Sequence, residues 1–514
     1  MPAEAGVELV VKHRGLVTVC LMIATLMQAL DSTIANVALP YMQGSLSASY
    51  DEVTWVLTSY VVMAAIMTAP VGWLAMRFGR KNLFILALAG FTFTSILCGI
   101  AGSLTQMVLY RLAQGAFGAA LVPLSQSTLM DMYPPEKRGA AMAIWGMGVM
   151  IGPIMGPTLG GYLTAAFDWR YVFFVNLPFG ILGVLGLLVF LPRTPPSPEA
   201  RFDWSGFLLL SGALAALQLA LDRGEELDWL NSPFIIAGFV LSLLCFYLFA
   251  VHMVTSKTSF IPREIFKDRN FVAGLVTMFS VGIILVASSA LLSPFLESLS
   301  NYPVATAGML MAPRGIGILI TMQIAGRLTN TIDPRKLMAF GYVLLGAALV
   351  IQESWTLDTS QLWIVFTITL QGMGLGLIFV PLQVVAFYTM SGYLRTQGAG
   401  LLALQRNIGS AIGISLTSAL LAHMGQYEHA VLATYITPFA RPLQVGGAVS
   451  HFLNPGSPHG AALLDALINT QAQIIAYGDD YKFMLLTTLP GFLCILFMRR
   501  PPASPTMAPP LIQE

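Results

Sequence analysis

About twenty apolar residues in succession suffice for a helix to cross the hydrocarbon of a bilayer. This 514-residue chain repeats such a run about fourteen times between residues 16 and 498. Inside a bilayer every backbone N–H and C=O must be bonded within the protein, so only helices and closed barrels span it. Barrel strands would be about half as long and would alternate polar with apolar side chains. The runs here are long and uniformly apolar, which predicts an all-α membrane protein. Charged residues make up only 10% of the chain, against about 25% in soluble domains, and a water-soluble globule is excluded. The first run follows Lys12 and Arg14 but is too long for a signal peptide and lacks a small-residue cleavage site, so it is expected to remain as a helix. Cys20, Cys98, Cys245 and Cys494 all fall in apolar runs at unrelated spacings, as packing residues do, and form neither a disulfide framework nor a metal cluster.

Lys and Arg accumulate in cytoplasmic loops. With the N-terminus inside, the cytoplasmic set holds 19 of the 26 cationic residues. Arg170, Arg223, Arg441 and Lys482 fall outside, and Arg111, Arg314 and Arg406 fall within the membrane. Both termini are therefore expected in the cytoplasm, with an even number of crossings.

An internal repeat sets the architecture. "QGAFGAALVPLSQ" (114–126) matches "QGMGLGLIFVPLQ" (371–383), which pairs Gln114 with Gln371 and Gln126 with Gln383 at an offset of 257. "GWLAMRFGRKNL" (72–83) is echoed by "GRLTNTIDPRKL" (326–337) at 254, and Gly152 and Gly156 by Gly409 and Gly413 at 257. Matches at nearly the same offset describe two parallel six-helix halves, at 16–191 and 271–498, joined by a linker, 192–270, that carries two further transmembrane helices. Residues 1–15 and 499–514 are expected to be cytoplasmic tails. Halves related in this way place a substrate site between them near the midplane and rock around it.

The polar stretch 422–481 is expected to be a periplasmic loop. Its first part is rich in Pro and Gly; its second part places Leu463, Leu464, Leu467, Ile468, Ile474 and Ile475 on one helical face. That face suits a surface helix folded over the bundle mouth, or a docking face for a partner. His423, His429, His451 and His459 lack the spacing of a helical ligand pair, and no metal site is expected.

The first run carries a carboxylate, Asp31. Ala24, Gln28, Asp31, Ala35 and Ala38 recur at steps of three and four, so one helix face is small and polar. Asp31 is expected to face protein or a water-filled cavity, because a charge at the midplane costs on the order of 3 kcal/mol on the gentler scale and is functional by default. Arg111 is its natural partner: counted inward at 1.5 Å per residue the two lie about 13 and 9 Å deep. The second half has Ile368 in place of Arg111 and only residues 285–288 near the counterpart of Asp31, so the fold itself needs neither charge. Asp31 and Arg111 are thus read as proton-coupling residues, with the proton as coupling ion and no other cofactor. Gly148, Gly152, Gly156 and Gly160 at strict four-residue spacing, with Pro153, Pro157 and Gly161, are expected to let a neighbouring helix approach closely and to seal the halves against leak. Arg314 and Arg406, the latter beside Gln405 and Asn407, add positive charge to the second half. Cavity candidates are Gln28, Ala35, Gln114, Gln126, Arg314, Gln371, Gln383, Arg406 and Asn407.

"GWLAMRFGRK" (72–81), "YRLAQGAFGAA" (110–120), "GVMIGPIMGPTLGG" (148–161), "LDSTIANVALP" (30–40), "WRYVFFVNLP" (169–178) and "LDRGEELDW" (221–229) together resemble the signatures of the fourteen-helix drug/proton antiporter family of the major facilitator superfamily, of the EmrB and QacA type and nearest the EmrB-type pumps of Gram-negative inner membranes. The resemblance implies a multi-pass exporter of hydrophobic or amphiphilic drugs in the bacterial inner membrane. It further implies an EmrA-like periplasmic membrane-fusion adaptor, a TolC-like outer-membrane channel and no nucleic-acid partner. Gly72, Arg77, Gly79, Arg80 and Lys81 fall on the family's gating loop. One departure is Met76, where the loop motif often has Asp; without it, Arg77, Arg80 and Lys81 are expected to rely on backbone carbonyls or the phosphates of membrane lipid. Export of a fatty acid, lipid or cell metabolite is the runner-up reading, followed by a proton-coupled importer. No phosphate-cradling loop, metal-ligand pair or nucleophile motif points to an enzyme.

Overall fold

The computed structural model describes residues 13–194, 202–256, 259–436, 453 and 456–499. Fourteen membrane helices follow in chain order. The first half holds α1 (Arg14–Ser45), α2 (Trp55–Thr68 continued by Val71–Phe78), α3 (Arg80–Gly99), α4 (Leu104–Gly118 continued by Leu121–Met132), α5 (Arg138–Ala166) and α6 (Asn176–Phe190). The inserted pair is α7 (Trp204–Asp222) and α8 (Pro233–Thr255). The second half holds α9 (Arg269–Pro294), α10 (Val304–Leu328), α11 (Pro334–Glu353), α12 (Gln361–Tyr388), α13 (Arg395–Tyr435) and α14 (Pro458–Phe497). Among the described residues thirteen helices are long and apolar enough to span a membrane, or fourteen with α2, which bends by 60° before Val71. Pro70 stands at the bend, where its ring denies the helix a donor. Several helices start on side-chain caps that satisfy orphan N–H groups: Ser103 for α4, Asp203 for α7, Asp268 for α9, Asp333 for α11 and Ser360 for α12.

The repeat in the sequence is a repeat in packing. α1 lies against α5 and α6, α2 against α4, and α3 against α4; α9 lies against α13 and α14, α10 against α12, and α11 against α12. α7 packs on α2, and α8 on α7. The start of α1 and the end of α14 share one face of the bundle, the terminal face. Thr18 at the start of α1 reaches Tyr133 after α4 (3.1 Å), and Arg335 at the start of α11 donates to the carbonyl of Met498 (3.0 Å).

The glycine stripe of α5 faces α1. A Cβ at Gly148 would collide with Met22, at Gly152 with the backbone of Ala29, at Gly156 with Thr33 and at Gly160 with Ile34, whereas at Gly161 it would meet only Val37, at 3.8 Å. Thr33 Oγ1 donates to the Gly152 carbonyl across this contact (3.2 Å). The stripe therefore locks two helices within the first half and does not seal one half against the other. Gly409 and Gly413 repeat the arrangement on Phe279 and Ile283 of α9. The side chains of Pro153 and Pro157 lie outside the described set.

Helices α13 and α14 contain 41 and 40 residues, about 60 Å each, twice the hydrocarbon thickness. Much of 422–481 is thus the continuation of two spanning helices, with His429 facing Asp465 across them (2.9 Å). The amphipathic segment 461–477 is not a separate helix laid over the mouth. The Pro- and Gly-rich stretch, His451 included, lies outside the described residues apart from a few positions.

Replacing Gly152 by Val should force α1 from α5; overpacking of this kind costs about 1–3 kcal/mol or more. Thermal unfolding in detergent is expected to shift down for Gly152→Val and to stay near wild type for Gly161→Ala.

Candidate functional site

Asp31 and Arg111 touch. Asp31 is 0% exposed and Arg111 1%, and Arg111 Nη1 lies 2.6 Å from Asp31 Oδ2. Five helices build this centre. Gln114 Nε2, one turn beyond Arg111 on α4, donates to Asp31 Oδ1 (2.9 Å), as does Asn176 Nδ2 of α6 (3.1 Å). Asn176 also donates to Ser95 Oγ of α3 (3.0 Å), whose hydroxyl donates to the Phe173 carbonyl (2.9 Å). Arg111 also donates from Nη1 to Gln114 Oε1 (2.8 Å) and from Nε to the Val56 carbonyl (3.1 Å), and its guanidinium lies 4.1 Å from the ring centroid of Tyr60. A buried ion pair offsets its desolvation only when its remaining lone pairs and protons are bonded, and here both carboxylate oxygens are.

Of the two surroundings expected for Asp31, protein or a water-filled cavity, the structure gives protein: the carboxylate is held inside the first half. Three of the nine cavity candidates, Gln28, Arg406 and Asn407, are partly accessible; the other six are buried. Ala35 packs with Ile34, Ala38, Trp169 and Val172. Gln114 belongs to the ion-pair network. Arg314 is bound within the second half, by Ser289 Oγ (2.6 Å), Ser288 Oγ (2.7 Å) and the Leu285 carbonyl (2.9 Å). Gln371 is fully buried, and neither amide atom has a hydrogen-bond partner among the described residues. Gln126 and Gln383 bond each other across the two halves; being repeat counterparts, they mark where the pseudo-two-fold axis passes. Gln28 Nε2 stands 3.5 Å from the Tyr60 hydroxyl.

Near the terminal face the halves are clamped. Asp131, at the end of α4, pairs with Arg80 of its own half and with Arg395 of the other (2.5 Å). Arg80, expected to rely on backbone carbonyls or lipid phosphates because Met76 stands where an Asp is usual, is paired instead with this carboxylate. Lys81 Nζ donates to the Leu188 carbonyl (2.7 Å), as expected of a cation without an acidic partner. Gly79 adopts φ +80°, and a Cβ there would collide with the Thr194 carbonyl. A Cβ at Gly72 would overlap Gln397 of α13, and one at Gly139 would overlap Thr329 of α10, so both seams are backbone-close. Trp145 stacks on Phe379 across the same interface, ring centroids 6.0 Å apart. Arg77 is partly exposed in the last turn of its segment.

Asn176, Ser95, Tyr60, Asp131 and Arg395 escaped the sequence reading. Asn176 stood in the quoted "WRYVFFVNLP" and Asp131 was an acid at the end of an apolar run; nothing in one sequence told which helix each would meet.

Two six-helix repeats around a pseudo-two-fold axis, with an ion pair sealed in one of them, define a membrane transporter. Residues 21–414 match the family model "Major Facilitator Superfamily", and the chain belongs to that family. It is 33% identical to the fatty acid resistance protein FarB of Neisseria gonorrhoeae, over 95% of this chain and 96% of that one. It is 32% identical to the multidrug export protein EmrB of Haemophilus influenzae with the same coverage, and 34% identical to EmrB of Escherichia coli K12 over 84% of each. Among solved structures, the human organic anion transporter MFSD10 (TETRAN) shares the fold with a TM-score of 0.58 at 13% identity, over 92% of this chain and 99% of that one. The chain is a multi-pass protein of the bacterial inner membrane.

Breaking a buried ion pair costs about 3–5 kcal/mol, while replacing both partners by packed apolar residues is often neutral. Arg111→Leu and Asp31→Leu should each lower the unfolding free energy by about that amount, and the double variant should recover most of the loss. Chemical unfolding in detergent reads the cycle.

Proposed function

We propose that the protein exports hydrophobic or amphiphilic drugs across the inner membrane by alternating access, in exchange for protons. The observation that carries this reading is the sealed Asp31–Arg111 pair, because a carboxylate in hydrocarbon is tolerated where it is used. Burial raises a carboxylate's proton affinity and a neighbouring guanidinium lowers it. Rocking of the halves that changes the distance between Asp31 and Arg111, or admits water to them, makes Asp31 take or release a proton. Protonation removes the charge that holds α1 to α4, and this couples proton binding to helix position. A ligand shifts such an equilibrium only by its difference in affinity for the two states.

The terminal face is the cytoplasmic one on this reading, since it carries most of the Lys and Arg. The Asp131–Arg395 clamp is then the inner gate. The long α13–α14 hairpin projects into the periplasm, where exposed Tyr427, Leu463 and Leu467 would meet a membrane-fusion adaptor of the EmrA type feeding a TolC-like channel. The relatives named EmrB, multidrug export proteins, support the drug substrate.

A second reading, export of a fatty acid or similar anionic amphiphile, is favoured by Arg406. Its side chain is partly accessible within the bundle and has no hydrogen-bond or ion-pair partner among the described residues. The similarity to FarB points the same way.

Proteoliposomes with an imposed pH gradient test both. Asp31→Asn, which retains hydrogen-bonding capacity towards Arg111, is expected to reduce gradient-driven ethidium transport to the leak of empty vesicles; continued uphill transport overturns the coupling role. Arg406→Gln is expected to slow oleate transport at least about tenfold, roughly 1.4 kcal/mol, and to leave ethidium transport intact if the second reading holds. Asp131→Asn should open the clamp, seen as a longer distance between spin labels on Lys137→Cys and Ser391→Cys.

A further inference from the structure

The second half lacks copies of Asp31 and Arg111, yet it holds a carboxylate of its own. Asp480 lies on α14, 0% exposed, and neither of its oxygens has a hydrogen-bond partner among the described residues. The nearby cation does not serve it: Lys482 Nζ is directed to Asp479 (3.0 Å) and to Glu353 of α11 (3.5 Å). Arg314 of α10 is committed to Ser288, Ser289 and the Leu285 carbonyl. On the buried face of α14, Asp480 is flanked by Tyr477 and Tyr481, whose rings pack edge-on against Phe295 and Trp355. The Tyr481 hydroxyl and Trp355 Nε1 are likewise buried without partners.

One turn outward, Tyr477 lines a pocket of about 590 Å³ with Glu225, Pro294, Gln426, His429 and Gln473. Seventeen residues, about 26 Å along the helix, separate Asp480 from Phe497 at the terminal face. Asp480 therefore sits near the opposite boundary of the hydrocarbon, under an open pocket. An ionised carboxylate there would bear several kcal/mol of desolvation with no ion pair to offset it. The neutral acid fits the same place without that cost.

We propose that Asp480 is a second proton-carrying carboxyl, loaded from the pocket above Tyr477 and separate from the Asp31 centre. It rests on the antiport reading above for its role in transport, not for its protonation. The titratable and charged groups around it are Asp479, Tyr477, Tyr481 and Lys482 on its own helix, Glu353 of α11, Arg314 of α10, His429 of α13 and Glu225 of the α7–α8 turn. The step is a simple transfer: a proton passes from pocket water to a carboxylate oxygen of Asp480 and leaves by the same atom when α14 shifts against α9 and α13.

Infrared titration of the full-length protein in liposomes, without substrate, reads the protonation directly. The carbonyl band of a protonated carboxylic acid is expected to persist well above the ordinary carboxylate range, to vanish in Asp480→Asn and to remain in Asp31→Asn. Asp480→Glu, which keeps an acid at the site if the amide disturbs folding, is expected to retain a band with a displaced midpoint. An unchanged band in Asp480→Asn, or none in the wild type, overturns the proposal. For transport, the limiting ethidium ratio is measured against a pH gradient with the membrane potential clamped at zero. Loss of one coupled proton should lower it about tenfold per pH unit, and an unchanged ratio in Asp480→Asn overturns the coupling role. A wild type that builds no ethidium gradient would sink the antiport reading, with the infrared band still deciding Asp480.

Discussion

A charge with no water around it must be bonded by the protein, and the first half is arranged around that requirement. Asp31 draws α4 through Arg111 and Gln114 and α6 through Asn176, and Asn176 in turn reaches Ser95 on α3. Tyr60 of α2 closes over the guanidinium. Five of the six helices of that half thus converge on one ion pair, and the sixth, α5, is fastened to α1 by its glycines. Any change in the charge of Asp31 is felt by the whole half, because in a low-dielectric interior the alternative to a bonded charge is several kcal/mol of desolvation.

The two halves share a scaffold and differ in chemistry. Corresponding helices pack in corresponding pairs, the glycine contact of α5 on α1 recurs as α13 on α9, and Gln126 meets its own counterpart Gln383. Only the first half contains the ion pair. In the second, Gln371 stands at the counterpart of Gln114 with no acid to bind, and Ser288 and Ser289 near the counterpart of Asp31 accept Arg314 instead. The two copies share one packing scheme, and the Asp31–Arg111 centre lies in only one of them. The clamp at Asp131 then joins the bodies at the terminal face with a carboxylate shared between Arg80 and Arg395.

Hydrophobic length alone fixed the helix class and the approximate number of spans, because the bilayer admits no other backbone solution. The repeat offset fixed the two halves. Asp31 and Arg111 were legible as partners because depth along a helix is a linear function of residue count. What sequence could not tell was rotation about each helix axis and which helices become neighbours. For that reason Gln114 was read as lining a cavity when it bonds Asp31, the glycine stripe as a seal between halves when it joins α1 to α5, and Arg314 as lining the cavity when two serines and a carbonyl hold it. The same limit hid Asn176 and Asp131, whose partners are 145 and 264 residues distant. A periodic pattern states that a face is small, polar or charged; only the packed bundle decides what that face touches, because the contacts are made between segments that the chain itself does not order.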